Sequence, residues 1–194
     1  MAGRTPPEAV HNFLDPLRRA ISCVTTSVLD VAGGYHPSDW PHLLTLAKGD
    51  PVRLAGERPV WLSVTQHYRV VEYEGPRGPW KVSTAAYWYY LSDADQGEII
   101  AYHWHPAGRS AVTSPHLHLG PAAEVGHPQL ADAHIPTGRV ALEAVLRLAI
   151  RDMGARPLRE DWEDILDESQ AAHETWRTWG SGPAPLSNLP GDFP

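Results

Sequence analysis

Glu98-Ile99-Ile100-Ala101-Tyr102-His103-Trp104-His105 and, eight residues further on, Ser114-Pro115-His116-Leu117-His118-Leu119 are the stretches that decide how this chain is read. Both alternate apolar and polar residues, the period of a half-buried strand. Residues i and i+2 of a strand share a face. His103 and His105 therefore project together, with Tyr102 and Trp104 on the other side. His116 and His118 do the same against Leu117 and Leu119. The loop 106–113 is long enough to turn the chain back. If the two strands pair, one face carries four imidazoles within reach of one another.

Upstream, Trp61 to Tyr73 and Lys81 to Leu91 are rich in β-branched and aromatic residues and read as strands. Gly75-Pro76-Arg77-Gly78-Pro79 forms the hairpin loop between them, and Ser92 to Gly97 the next turn. Such short connections favour an antiparallel meander. Before the sheet, Phe13, Leu17, Ala20, Ile21, Val24, Val28 and Val31 recur at helical steps, which predicts a helix from Val10 to Val31 ended by Gly33-Gly34. A second short helix is expected after Ser38-Asp39, with Pro41 in its first turn and Leu43, Leu44 and Leu46 apolar. After the sheet, Thr137 is placed to cap a helix running to Met153, with Glu143, Arg147 and Arg151 as its polar stripe. Pro157 opens a further helix bearing Trp162, Ile165, Leu166, Ser169 and Trp176 on one side.

The expected fold is α+β: an antiparallel β-meander of about four to five strands packed with N-terminal and C-terminal helices. A single domain covers residues 1–180, with a helical segment at 8–48, the sheet at 60–120 and helices at 137–178. Residues 181–194, dense in Gly, Pro, Ser and Asn, read as a flexible tail.

Composition narrows the function classes. The net charge of −7 argues against a nucleic-acid coat or a membrane-surface protein, both of which need a basic stripe. Cys23 is the one cysteine, so a thiolate metal cluster is out, and its apolar helical setting makes it a core residue. No signal-like start and no apolar run near the roughly 20 residues of a membrane span are present, so a cytoplasmic protein is expected. Walker, dinucleotide, nucleophile-elbow and His-Glu-x-x-His motifs are missing.

Two chemistries suit a face of four histidines. The first is metal binding, since neutral imidazole ligates zinc, copper, nickel and non-haem iron. In that reading His103, His105, His116 and His118 hold a divalent transition metal, and Glu124, Asp132 or a tyrosine orients the rings. The second is metal-free acid–base catalysis by the same four residues, which suits a phosphodiester-cleaving hydrolase or nuclease. A third reading makes them packing residues of a non-catalytic interaction protein. The segment His134-Ile135-Pro136-Thr137-Gly138-Arg139 adds a phosphate-binding candidate, because free amides at a helix start attract anions and Arg139 can grip a phosphate. His134, Thr137, Gly138 and Arg139 would then hold the phosphate of RNA or a nucleotide. The plainer alternative is capping by Thr137 and pairing of Arg139 with Glu143.

Further candidates are Tyr87, Trp88, Tyr89 and Tyr90, which can stack a base or serve as core. His67, Arg69 and Lys81 add charge to the site if they share its face, which periodicity does not fix. Asp161, Glu163, Asp164, Asp167 and Glu168 read as a solvated acidic helix start.

The stretch from Trp80 to Met153 resembles a group of bacterial proteins, mainly actinobacterial, for which no activity is established. The matching text is Gly78-Pro79-Trp80-Lys81-Val82, His103-Trp104-His105-Pro106, Pro115-His116-Leu117-His118 and His134-Ile135-Pro136-Thr137-Gly138-Arg139-Val140, extending to Asp161-Trp162. More distantly, a strand meander, a His-x-His strand and a following helix are similar to TumE-type toxin components of bacterial toxin–antitoxin pairs. That likeness covers the central half of the chain and one short motif. It implies a nucleic-acid or nucleotide target and an antitoxin protein partner. The pair His103/His105 and both flanking helical regions depart from its pattern.

Overall fold

The structure, a computed structural model, describes residues 2–107, 110–130 and 133–176. The chain runs β1 (Ala2–Gly3), α1 (Pro6–Ile21), β2 (Leu29–Ala32), β3 (His42–Leu46), β4 (Val52–Arg53), β5 (Trp61–Glu72), β6 (Trp80–Ser92), β7 (Glu98–Trp104), β8 (His116–Leu119), β9 (Ile135–Pro136), α2 (Leu142–Arg151) and α3 (Trp162–Trp176). The fold is α+β, as expected. The sheet has more strands than expected: nine among the described residues, in the spatial order β2-β3-β5-β6-β7-β8-β9, with β1 beside β6 and β4 beside β5. Every pairing is antiparallel.

The N-terminal helix is shorter than expected. Thr5 caps it by accepting from the Glu8 amide at 3.3 Å, prolines occupy its first turn, and it ends at Ile21. Val10, Phe13, Leu14, Leu17 and Ile21 form its buried stripe. Val31 belongs to strand β2, and the expected helix after Asp39 is strand β3. There His42, Leu44 and Leu46 are buried while Leu43 and Thr45 are half-exposed, a period of two. A short apolar run does not itself distinguish helix from strand, and pairing with β5 decided it. Gly34 follows β2 with φ +96°, and a side chain there would collide with the Tyr68 hydroxyl, which donates to the Gly34 carbonyl at 3.1 Å.

The C-terminal side is also corrected. Helix α2 begins at Leu142, not Thr137, and Ala141 at its N-cap offers no side-chain bond. Ile135 and Pro136 instead pair with Leu117 and His116 as an edge strand, and the Thr137 amide donates to the Pro115 carbonyl at 2.9 Å. Glu143 is not on a solvated stripe but fully buried, accepting from Ser169 at 2.6 Å and lying 3.7 Å from His173. The acidic residues at the start of α3 are exposed, as expected. Asp167 pairs with Arg147, Glu163 with Arg151 and Glu168 with Arg19 at the surface, each within 3 Å, while buried Ile165 and Leu166 seat α3 in the core. The tail expected at 181–194 lies outside the described residues.

These helices cover one face of the sheet. Leu62, Val64, Tyr68, Val70, Tyr87, Tyr89, Leu91 and Trp104 join α1, α2 and α3 in the core, and Cys23 is buried there. The alternate residues of β5 to β8 point to the other face. No helix is long and apolar enough to cross a membrane among the described residues.

Candidate metal centre

Register places the histidines. His103 on β7 lies opposite His116 on β8, and Ala101 lies opposite His118. Trp104 is buried on the helix-covered face, so His103 projects to the other one, together with His116 and His118. His105 follows directly after β7, and its ring is 5.6 Å from that of His116 and 6.2 Å from that of His103. The expected gathering of the two His-x-His pairs on one face is what the structure shows.

The pairs are not equivalent. His103, His116 and His118 each offer a ring nitrogen such that the three lie within 4.8 Å of one another, and His105 is not among them. A zinc ion with bonds of about 2.0–2.1 Å sets tetrahedral nitrogens about 3.4 Å apart. Ligation therefore needs the widest pair to close by at most roughly 1.4 Å. The fifth histidine, His134, precedes β9 and is exposed. Its ring is 4.4 Å from His118 and 5.0 Å from His116. Its place is at the rim of the cluster, not at a helix start.

Two details fit these side chains to a metal. The Nδ1 of His116 is 2.8 Å from the Ser114 carbonyl, so it carries the proton and Nε2 keeps a free lone pair. The orienting acceptor is thus a backbone carbonyl two residues upstream; Glu124 is exposed and Asp132 lies outside the described residues. The Nε2 of His103 is buried without a hydrogen-bond partner. A buried nitrogen left so costs about 1–3 kcal/mol unless something else engages it.

Burial disfavours a charge on three of these histidines, His103, His105 and His118. Burial, with added repulsion from His118, His116, His105 and His134, holds His103 down to about 3. Burial also lowers His105 and His118, helped by their histidine neighbours. Neutral imidazole is the ligating form.

The aromatic run of β6 supplies the surroundings. Tyr87 and Tyr89 stack in the core at 4.8 Å, so the core reading holds for them. Trp88 and Tyr90 face the histidines: Trp88 lies parallel to His105 at 5.8 Å, and Tyr90 meets His103 edge-on at 5.1 Å. Alternation along Tyr87 to Tyr90 separates these two rings from the core pair, but only the β6–β7 register brings them to the histidines.

The phosphate-binding candidates do not assemble as expected. With α2 starting at Leu142, Thr137 and Gly138 offer no helix-start amides. The Arg139 guanidinium lies 3.9 Å over the Trp104 ring, on the face away from His103, and so does not join the cluster. Nor does it meet Glu143, which is engaged by Ser169 and His173. Of the four, only His134 reaches the histidines.

Comparisons with protein-family models, with curated proteins and with solved structures found no match for this chain.

Proposed function

We propose that this protein binds one divalent transition metal through His103, His116 and His118, and presents it to a small ligand on the face of the sheet away from the helices. The observation that carries the reading is the triangle of ring nitrogens within 4.8 Å. Three features support it: the Ser114 carbonyl orients His116, His103 Nε2 has no other partner, and burial keeps His103 neutral.

Three imidazoles leave coordination positions for water or substrate, and such an ion, when bound, acts as a Lewis acid and brings its water into the range of neutral pH. The chain's own residues fix three donors on a rigid strand pair. His134, exposed at the rim and nearest His118, is placed to move a proton or to add a fourth nitrogen. The metal-free reading, cleavage of RNA or a nucleotide with an antitoxin-like partner, uses the same histidines but has lost the helix-start phosphate grip on which it leaned. It also needs one imidazole to arrive protonated, which burial disfavours for His103, His105 and His118.

Calorimetric titration of chelator-stripped protein with zinc tests the proposal. One site per chain in the wild type, abolished in His116→Ala/His118→Ala, is the expected result. No binding, or equal binding in the variant, refutes it.

A further inference from the structure

The face that carries the histidine cluster continues across β6 onto β5, and there it gathers cations. In the β5–β6 ladder Arg69 opposes Ser83 and Val71 opposes Lys81. Tyr68, Val70 and Val82 are buried on the helix side, so their neighbours His67, Arg69, Lys81 and Ser83 point to the histidine face. A bulge keeps this alternation consistent. His67 pairs with Ala86 and Tyr68 with Thr84, leaving Ala85 as the extra residue. Thr84 and Tyr87 thereby both turn to the core side, where Thr84 accepts from Gln66 at 2.9 Å. Small, buried Ala86 is left between His67 and the end of β7.

Arg69 and Lys81 differ from the ion-paired arginines of the helices and of the segment before α3. Arg18, Arg19, Arg147, Arg151 and Arg159 each pair with a carboxylate. Among the described residues Arg69 and Lys81 do not. Arg69 is steered by one backbone bond, Nη1 to the Asp39 carbonyl at 3.0 Å, and its Nε is buried without a partner, as is His67 Nδ1. Lys81 sits 3.9 Å from the Tyr73 ring. In a chain of net charge −7, leaving these groups without acids on one face favours an anion from outside. The region is continuous with the cluster. Trp88 touches His67 edge-on at 5.3 Å on one side and stacks on His105 on the other. From β7 to β5 is two strand spacings, roughly 10 Å. Arg69 lies four residues along β5 from Thr65, the residue level with His103. The backbone span from His103 to Arg69 is therefore roughly 17 Å, which the long Arg69 side chain shortens.

We propose that His67, Arg69 and Lys81 form an oxyanion subsite for an elongated small molecule. Its phosphate or carboxylate meets Arg69, its flat middle packs along Trp88, and its far end reaches the His103–His116–His118 centre. Only the far end rests on the metal reading.

The test is calorimetry with adenosine 5′-monophosphate, adenosine and phenylacetate, on chelator-stripped and on zinc-loaded protein. Binding of the monophosphate but not adenosine, weakened about tenfold in Arg69→Gln and partly restored in Arg69→Lys, supports a phosphate site. The same Arg69 dependence for phenylacetate supports a carboxylate site. Equal affinity in wild type and Arg69→Gln, or no binding of either anion up to about 10 mM, overturns the subsite. Zinc retained with Arg69-independent binding sinks the subsite alone, whereas Arg69-dependent binding with no zinc retained sinks the metal reading alone. An unchanged melting temperature certifies the Arg69→Gln fold, and Lys81→Gln replaces it if that fold fails.

Discussion

His103 and His116 lie directly opposite each other across the β7–β8 ladder, with ring centroids 5.6 Å apart and planes at 77°. His118, two residues along β8 from His116, closes the triangle, its ring 4.9 Å from that of His103. An antiparallel pair thus builds a three-nitrogen cradle from one residue on one strand and two on the next. The five histidines should consequently differ in their effect on metal affinity.

Alanine at His103, His116 or His118 is expected to weaken zinc binding by more than about a hundredfold, beyond the loss typical for an orienting partner. Alanine at His105 is expected to cost about tenfold or less, because His105 is outside the three-nitrogen triangle and packs on Trp88 and against the His116 ring. Competition titration against a zinc-binding dye ranks the variants. Equal losses at His105 and His118 would contradict the triangle.

The two faces of the sheet should separate stability from metal binding. Leu17 on α1 is fully buried in the helix-side core. Leu17→Ala is expected to cost about 2–5 kcal/mol in urea unfolding while zinc stoichiometry stays unchanged.

Thr137 gives a third prediction. Its hydroxyl is buried without a hydrogen-bond partner, and it does not start a helix. Thr137→Val should therefore be neutral or stabilising in thermal unfolding. A true N-cap would lose about 0.5–2 kcal/mol, and a loss of that size would restore the helix start at this position.

Glu143 sets part of the acid limb of stability. Burial pushes its carboxyl up, but the bonds and charge of His173 and the Ser169 hydroxyl outweigh it, and the net value lies below the ordinary 4.5. A carboxyl that titrates lower in the folded chain stabilises it above its unfolded value, and that contribution is lost as pH falls through the folded one. Wild-type stability should decline below about pH 4.5 more steeply than that of Glu143→Gln, which should itself be weaker at pH 7 by about 1–3 kcal/mol. Parallel pH profiles for the two proteins would count against this role.

The histidine face was legible in the sequence because strand period is strict: two residues apart means one face. The partners on neighbouring strands were not, since the register that puts Trp88 beside His105 and His67 beside Trp88 depends on pairing and on the bulge at Ala85. The N-terminal third misled for a related reason. Leu43, Leu44 and Leu46 satisfy a helical pattern as well as an extended one, and contact with β5 selects the strand. Pro136-Thr137-Gly138 has the composition of a helix start, yet pairing of Ile135 with Leu117 draws the segment into the sheet edge and delays the helix to Leu142. That shift removed the anion grip expected at Arg139 and left His134 beside the cluster.

X-ray absorption of the zinc-loaded protein tests the central claim most directly. The account predicts a shell of nitrogen and oxygen at about 2.0–2.1 Å with the outer scattering of about three imidazoles, falling to two in His118→Ala. A shell without imidazole scattering, or one unchanged in the variant, would contradict it.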